Sequence, residues 1–246
     1  MTNLLKRLQF YLKASNSKGH GTHSPLVYHF ITEILNDTRN FYAYQEIDAL
    51  KNKLISDKRK INISGKETSV SSFVKTSLPT KYNQLLFRMV AYYKPSYILE
   101  IGSSLGITTA YLASPDKKKG VHTIESNEPL AIISLQTVSS LALPNTSQSI
   151  GNIRKPFSEI PERKYGFILI NHPNWESEEQ IKDIFSIVEE DAIVIFVGIN
   201  KNAETKLVWN HLISNLNKSI SVNLFNFGII FLKKEVLKKQ QFTIRF

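Results

Sequence analysis

The sequence predicts an α/β fold in which a mostly parallel sheet follows an N-terminal helical extension. Three observations predict it. Helical spacing of apolar residues dominates the first part of the chain, short β-branched runs then alternate with helical stretches, and two apolar runs lie close together near the end. Strands that alternate with helices form βαβ units around a buried parallel sheet, whereas two runs joined by a short turn form an antiparallel hairpin.

The N-terminal extension is predicted to consist mainly of helices. Apolar residues at helical spacing predict a first helix over 4–12. Ser24-Pro25 predicts the start of a second, because serine caps helices and proline suits the first helical position. Further helices are predicted over 41–57 and 82–93, and the polar stretch 61–72 is predicted to be a loop. We place the extension at residues 1–79 and the α/β domain at residues 80–246.

The α/β domain is predicted from five short apolar runs and the helical stretches that separate them. The strands are expected at 97–101, 121–124, 147–150, 167–170 and 192–197, and the helices at 107–112, 130–141, 177–188 and 203–215. The runs 220–225 and 228–232 flank a short turn at Asn226-Phe227, which predicts a closing antiparallel hairpin.

Composition excludes several classes of protein. There is no cysteine, so disulfides, cysteine zinc sites, iron–sulfur clusters and thiol nucleophiles are excluded. Thirty-one Lys and Arg against 21 Asp and Glu give a net charge of +10, which favours either an acidic partner such as nucleic acid or simple solubility. The lysines form short clusters rather than a basic helix face. Because no uninterrupted apolar segment is long enough for a signal peptide or a membrane span, we expect a cytoplasmic protein without membrane contact.

The most informative segment runs from Ile98 to Thr109, where a predicted strand contains an acid, turns at a glycine and enters a helix. Gly102 permits a sharp turn and the close approach of a ligand to the backbone. Gly106 lets the following helix begin near the sheet. Open α/β sheets bind ligands beyond the carboxyl ends of their strands, so the segment predicts a ligand site at this turn.

The residues around this turn narrow the class of ligand. Ser104 and Ile107 stand where a dinucleotide fingerprint has its second and third glycines, and no P-loop lysine follows. Glu100, ahead of the turn, suits a cationic ligand. The second strand ends in Glu125, 19 residues after Gly106, where a carboxylate can accept both hydroxyls of a ribose. The alternative for Glu100 is a buried acid that caps loop amides. The alternative for Glu125 is an ordinary surface acid.

These residues resemble motif I of class I S-adenosylmethionine-dependent methyltransferases, and Glu125 matches their ribose-binding acid. The resemblance covers about residues 80–233. It implies a Rossmann-like seven-stranded mixed sheet in the order 3-2-1-4-5-7-6, with strand 7 antiparallel, and S-adenosylmethionine as the cofactor. Within this family the sequence resembles the O-methyltransferase-like branch most. The segments that carry this resemblance are 20–25, 81–86 and 242–246.

The resemblance also implies residue roles. Gly102, Ser103 and Gly106 would line the methionine part of the cofactor, and Glu125 would bind its ribose. Ser126 and Asn152 would lie near the adenine. Glu100 is included among the cofactor-binding residues because it precedes the turn.

The sequence departs from this family where metal-dependent members carry acids. Those members hold a divalent cation with acids after strands 4 and 5. Here Asn171 follows the fourth predicted strand, and Gly198 and Asn200 follow the fifth. We therefore expect no metal site, and the departure also leaves catalysis itself open.

Two neighbouring residues are the candidates for the acceptor side. His172 follows Asn171 at the expected methyl position, and we assign it as a general base or acceptor positioner, with Asn171 beside it. A loop histidine that bonds to backbone is the alternative for His172. His20 and His23 are candidates for a lid, or for a turn stabilised by side-chain hydrogen bonds.

Three function classes stay open at this point. The first is methyl transfer to a hydroxyl or amine of a small molecule. The second is methylation of a nucleic-acid base, because the run 171–175 has the residue types of an Asn-Pro-Pro-aromatic motif with one residue more. The third is an inactive descendant that binds the cofactor. The N-terminal aromatics Tyr28, Phe41, Tyr42 and Tyr44 are expected to be exposed and to offer a homodimer surface.

Overall fold

The computed structural model describes residues 3–15, 23–151, 163–171 and 178–246. In chain order the elements are α1 (Asn3–Lys13), α2 (Pro25–His29), a π-helical segment (Phe30–Leu35), α3 (Tyr42–Ser56), β1 (Lys60–Ile63), β2 (Lys66–Ser69), α4 (Val70–Val74), α5 (Thr80–Tyr93), β3 (Tyr97–Ile101), α6 (Ile107–Ala113), β4 (Gly120–Glu125), α7 (Glu128–Ser140), β5 (Thr146–Ile150), β6 (Tyr165–Ile170), α8 (Glu178–Ser186), β7 (Val188–Val197), α9 (Ala203–Asn215), β8 (Ile220–Asn223), β9 (Phe227–Phe231) and β10 (Gln240–Thr243).

The chain divides into two compact units. The continuous unit comprises Thr38–Arg163, and the discontinuous unit comprises Met1–Asp37 together with Lys164–Phe246. The predicted strands over 97–101, 121–124, 147–150, 167–170 and 192–197 are all present, and the predicted helix over 203–215 has the predicted ends.

The continuous unit is built on three parallel strands. β3 pairs with β4 from Tyr97 opposite Gly120, and β4 pairs with β5 from Val121 opposite Thr146. Most residues of β3 and β4 are buried, as expected for strands covered on both faces. Parallel pairing brings the carboxyl ends of β3 and β4 side by side, and the candidate site lies there.

The discontinuous unit combines parallel and antiparallel strands. β6 pairs with β7 in parallel, β9 pairs antiparallel with both β7 and β8, and β10 joins β8 in parallel. The predicted closing hairpin is therefore confirmed as β8 and β9. The predicted α/β class and its strand order within each unit are confirmed, and the described part of the chain has an eighth strand in its mixed sheet, β10, which was not predicted.

The stretch 61–72 is a β-hairpin followed by a short helix, so the prediction of a loop is wrong. β1 and β2 pair antiparallel with Ile63 opposite Lys66. The two residues between them, Ser64 and Gly65, both have positive φ, 51° and 84°. Two-residue hairpin turns favour this backbone because its twist matches that of the strands.

Tyr44 was expected to be exposed with the other N-terminal aromatics, and this is wrong. It is only 3% exposed and contacts the rings of Phe41, Phe87 and Tyr111, at centroid separations of 5.3, 5.0 and 5.7 Å. Its position on the inner face of α3 places it in the core of the continuous unit. Tyr42, on the outer face, is 75% exposed as predicted.

Within the described ranges, no helix has both the length and the apolar character needed to cross a bilayer.

Candidate functional site

The turn between β3 and α6 has a left-handed backbone conformation that residues other than glycine rarely adopt. Gly102, Ser104 and Gly106 have φ values of 96°, 54° and 79°. The Gly102 amide donates to the Ile124 carbonyl at 2.8 Å, and the Gly106 amide donates to the Ser103 carbonyl at 2.9 Å. Alternate left-handed residues curl the turn tightly at the ends of β3 and β4.

Glu125 lies at the end of β4 with its carboxylate held by backbone amides. Ser104 N donates to one carboxylate oxygen at 2.8 Å, and Asn127 N donates to the other at 3.0 Å. The side chain is 5% exposed. Burial raises the pKa of Glu125, and the amides of Asn127, Ser104 and Ser126 oppose that rise by stabilising the ionised form. The two amide bonds of 2.8 and 3.0 Å occupy two of the roughly four acceptor positions of a carboxylate, which leaves room for ligand hydroxyls.

Glu100 is fully buried near the end of β3 and bonds to the following helix. Thr109 Oγ1 donates to its Oε2 at 2.5 Å. Burial raises the pKa of Glu100 to about 8, while hydrogen bonds from Thr109 and Thr123 oppose the rise and the charge of Glu125 adds to it. At neutral pH this group is therefore largely a neutral acid in the ligand-free protein.

One buried polar atom of the turn, Ser103 Oγ, has no hydrogen-bond partner among the described residues. A buried polar atom without a partner costs about 1–3 kcal/mol, so native proteins generally supply a partner. Ser103 lies in the turn itself and is 1% exposed. A ligand with polar groups at the turn would satisfy its hydroxyl, and the residues present fit the methionine and ribose parts of S-adenosylmethionine.

Gly106 has a packing role that the sequence did not reveal. A Cβ at this position would lie 2.8 Å from the carbonyl oxygen of Ser134 and 2.9 Å from its Cα. Ser134 belongs to α7, so the absence of a side chain at Gly106 lets α6 and α7 approach closely. The glycine is explained by this contact and by its left-handed φ, with or without a ligand.

Asn127 connects the candidate site to the β1–β2 hairpin, and sequence reasoning missed it. Its side-chain oxygen accepts from the Leu130 amide at 3.1 Å and caps α7. Its side-chain nitrogen donates to the Asn62 carbonyl at 3.2 Å. An asparagine two residues after a strand-end acid, just before Glu128-Pro129, is a recognisable helix cap. The bond to Asn62, 65 positions earlier, has no local signal.

The structure brings six of the predicted site residues together on the continuous unit: Glu100, Gly102, Ser103, Gly106, Glu125 and Ser126. Ser126 is exposed at the rim. Asn171 follows β6 in the discontinuous unit. Asn152, His172 and His20 lie outside the described residues, while His23 is described and exposed.

Asn171 follows β6 and Asn200 follows β7, at the two positions where the sequence comparison placed the acids of metal-dependent methyltransferases. Asn200 Nδ2 donates to the Phe225 carbonyl at 2.8 Å and lies 3.4 Å from Asn223 Oδ1. This asparagine therefore holds the β8–β9 turn, which explains its presence without a cation. The described ranges contain no group of three or more His, Asp and Glu that could hold a metal ion.

Several solved structures similar to this chain are described as methyltransferases. A Podospora anserina methyltransferase with bound S-adenosylhomocysteine has a TM-score of 0.63 over 95% of this chain and 98% of its own, at 11% identity. A Bacillus cereus O-methyltransferase in complex with S-adenosylhomocysteine has a TM-score of 0.59 over 80% and 93%, at 13% identity. TomG of Streptomyces achromogenes, an O-methyltransferase of tomaymycin synthesis in complex with S-adenosylmethionine, has a TM-score of 0.57 over 84% and 94%, at 13% identity.

No family model matches the sequence, and no curated protein matches it. Identities of 11–13% show a shared fold and nothing finer. The class I methyltransferase fold expected from motif I is therefore confirmed.

Proposed function

We propose that this protein is an S-adenosylmethionine-dependent methyltransferase that acts on a hydroxyl or amine of a small molecule without a metal ion. The Glu125 carboxylate carries the proposal, because the amide of Ser104 holds it beside a tight glycine turn. A buried acid fixed in this way suits the two hydroxyls of a ribose, since its remaining acceptor positions are already oriented.

The continuous unit supplies the proposed cofactor residues. Gly102 and Gly106 shape the turn, and the unpaired hydroxyl of Ser103 bonds to the methionine part. Ser126 and Asn152 lie near the adenine in this proposal. Glu100 supports the turn through Thr109, so we now assign it a positioning role rather than a charge contact with the ligand.

The acceptor side is assigned to Asn171 and His172. When bound, S-adenosylmethionine would supply a methyl group on a positively charged sulfur, activated for transfer to an acceptor oxygen or nitrogen. His172 takes the proton that the acceptor loses, as a general base. Asn171 orients the acceptor by hydrogen bonding. Orientation alone lowers the barrier by several kcal/mol, because the reacting groups are already positioned. The methyl donor itself is already reactive, so little further catalysis is needed.

Metal independence is part of the proposal. Asn171 offers one weak neutral oxygen, and the amide of Asn200 is already bonded to the β8–β9 turn. A hard divalent cation requires several oxygen ligands and prefers carboxylates. Positioning of the acceptor therefore falls to the protein.

Transfer of labelled methyl from S-adenosylmethionine to a panel of small hydroxyl and amine acceptors tests the activity. We expect turnover that survives EDTA and falls at least tenfold in the His172→Ala variant, in line with loss of a general base. A strict requirement for magnesium would contradict metal independence. Transfer to DNA or RNA only, with binding that weakens steeply with salt, would support a nucleic-acid enzyme instead.

A further inference from the structure

Helix α1 presents two different faces, and only one of them is packed. Phe10 contacts the ring of Phe225 at 5.3 Å, and Tyr11 Oη donates to the Phe246 carbonyl at 2.9 Å. These contacts hold α1 within its own chain. On another face, Leu5, Leu8 and Leu12 are 48%, 59% and 75% exposed.

The three leucines form a regular stripe. Their spacing of three and then four residues places them above one another on one side of a helix. The same i, i+3, i+7 spacing is used by helices that insert an apolar face into a groove of a partner. Contiguous exposed apolar residues of this kind mark interaction surfaces more often than isolated ones do.

The same unit carries an apolar groove between α8 and α9. Ile181 and Phe185 line it from α8, and Leu207, Val208, Leu212 and Leu216 line it from the α9 side, around a volume of about 470 Å³. Ile181 and Leu212 are buried at its floor, whereas Leu207 is 68% exposed at its rim. Two helices with an apolar groove between them match the shape of a third helix.

We propose that this groove binds the leucine stripe of α1 from a second copy of the chain. Each copy has one stripe and one groove, so a reciprocal pair of copies, in which each α1 enters the groove of the other copy, would cover both features. The packed face of α1 remains bonded to Phe225 and Phe246 in its own chain, so docking requires no rearrangement of α1.

One pair of opposite charges gives the direction that we assign to the docked helix, although the groove lining also includes Lys182. Helix α1 contains Lys6, Arg7 and Lys13 and no acid. Glu204 lies in the first turn of α9, three residues before Leu207 and on the same face. Pairing Lys13 with Glu204 places Leu12 next to Leu207 and directs Leu5 toward Leu216. An exposed pair of this kind sets orientation more than affinity.

Sedimentation or light scattering of the full chain tests the assembly. We expect a particle of twice 28.1 kDa. Leu8→Glu and Leu207→Glu should each raise the dissociation constant of the dimer by about 30-fold or more, because each buries a charge in the interface. The matched control is Leu237→Glu, since Leu237 is 78% exposed and belongs to neither feature; it should leave the dimer intact. A monomer at all concentrations, or dissociation by Leu237→Glu alone, would overturn the proposal.

Disulfide trapping tests the direction, since the chain has no native cysteine. Leu12→Cys mixed with Leu207→Cys should give a cross-linked dimer under mild oxidation. Leu5→Cys mixed with Leu207→Cys should not, because seven helical residues separate the two positions by about 10 Å and a disulfide needs Cα atoms within about 7 Å. Equal or stronger trapping of the Leu5→Cys mixture would overturn the assigned direction. If the Leu12→Cys variant and the Leu207→Cys variant each cross-linked only to a second copy of itself, the stripe-in-groove contact would be overturned.

Discussion

Glu125 combines burial with an ordered set of amide donors. The side chain is 5% exposed, and the Ser104 and Asn127 amides lie 2.8 and 3.0 Å from its oxygens. Burial alone would favour the neutral acid, but amide donors favour the ionised form. The backbone of the glycine turn therefore orients the carboxylate before any ligand arrives, which lowers the ordering cost of binding.

Replacing Glu125 by glutamine should weaken S-adenosylhomocysteine binding by about 1–3 kcal/mol, because the amide loses one acceptor and cannot bond to both backbone amides and both ribose hydroxyls. The dissociation constant should rise roughly 5- to 150-fold by calorimetry. Glu128→Gln is the matched control, since Glu128 is exposed in the first turn of α7 and should bind as the parent does. Equal affinity of the Glu125→Gln variant and the parent would refute the ribose assignment.

Glu100 gives the protein a specific dependence of stability on pH. Its pKa is raised by burial from 4.5 to about 8, so the folded state holds a proton that the unfolded state has released. A raised folded-state pKa contributes stability that is complete below pH 4.5 and is lost as the pH rises toward 8. The free energy of unfolding should therefore fall over this window on account of Glu100.

Glu100→Gln should remove that part of the pH dependence, because glutamine resembles the neutral acid and keeps an oxygen for the Thr109 hydroxyl. Urea denaturation of parent and variant at several pH values from about 5 to about 8 measures the difference. We expect the variant to gain stability relative to the parent as the pH rises. A constant difference between the two proteins across this range would contradict the assignment.

At the scale of elements, two glycines with similar positive φ values have different surroundings. Gly65 in the β1–β2 turn has a φ of 84°, and a Cβ added there would have no atom within 4 Å. Gly106 has a φ of 79° and lies against Ser134 of α7. Strain from a left-handed φ is common to both. Only Gly106 adds a steric conflict with the backbone of another helix.

Gly106→Ala should therefore destabilise the protein more than Gly65→Ala. We expect about 1 kcal/mol for the Gly65 variant, from backbone strain, and roughly 1–3 kcal/mol more for the Gly106 variant, from overpacking between α6 and α7. Urea denaturation of both variants under one condition makes the comparison. Equal losses of stability would show that the α6–α7 contact does not constrain Gly106.

The elements that the sequence predicted well are those with a strong local pattern. The strand 97–101 is bounded by a turn, and the helix 203–215 begins after the cap Asn202. The predicted ends of both agree with the structure. The β1–β2 hairpin was missed because each strand has only four residues and β2 is polar throughout, although Ser64-Gly65 is a recognisable hairpin turn. β10 was missed because Gln240 and Gln241 have no strand pattern and pair with β8 only through tertiary structure.

At the scale of the whole molecule, the predictable part of the candidate site is its backbone frame. The glycine turn and the two acids at the ends of neighbouring strands follow from spacing along the chain, and Glu125 and Ser104 do meet. The ionisation state of Glu100 could not be predicted, because it depends on how completely β3 is buried. The Asn127–Asn62 bond could not be predicted either, because it joins elements that are distant in sequence.

Calorimetric titration of the full chain with S-adenosylhomocysteine is the most direct test of the central claim, which is that the glycine turn and Glu125 form a cofactor site. The account predicts saturable binding of one ligand per chain, and no binding of ATP, because the turn lacks the lysine and the amide arrangement that cradle a triphosphate. Absence of S-adenosylhomocysteine binding up to about 1 mM, corresponding to less than about 4 kcal/mol of binding free energy, would contradict it. Equal binding of ATP would contradict it as well.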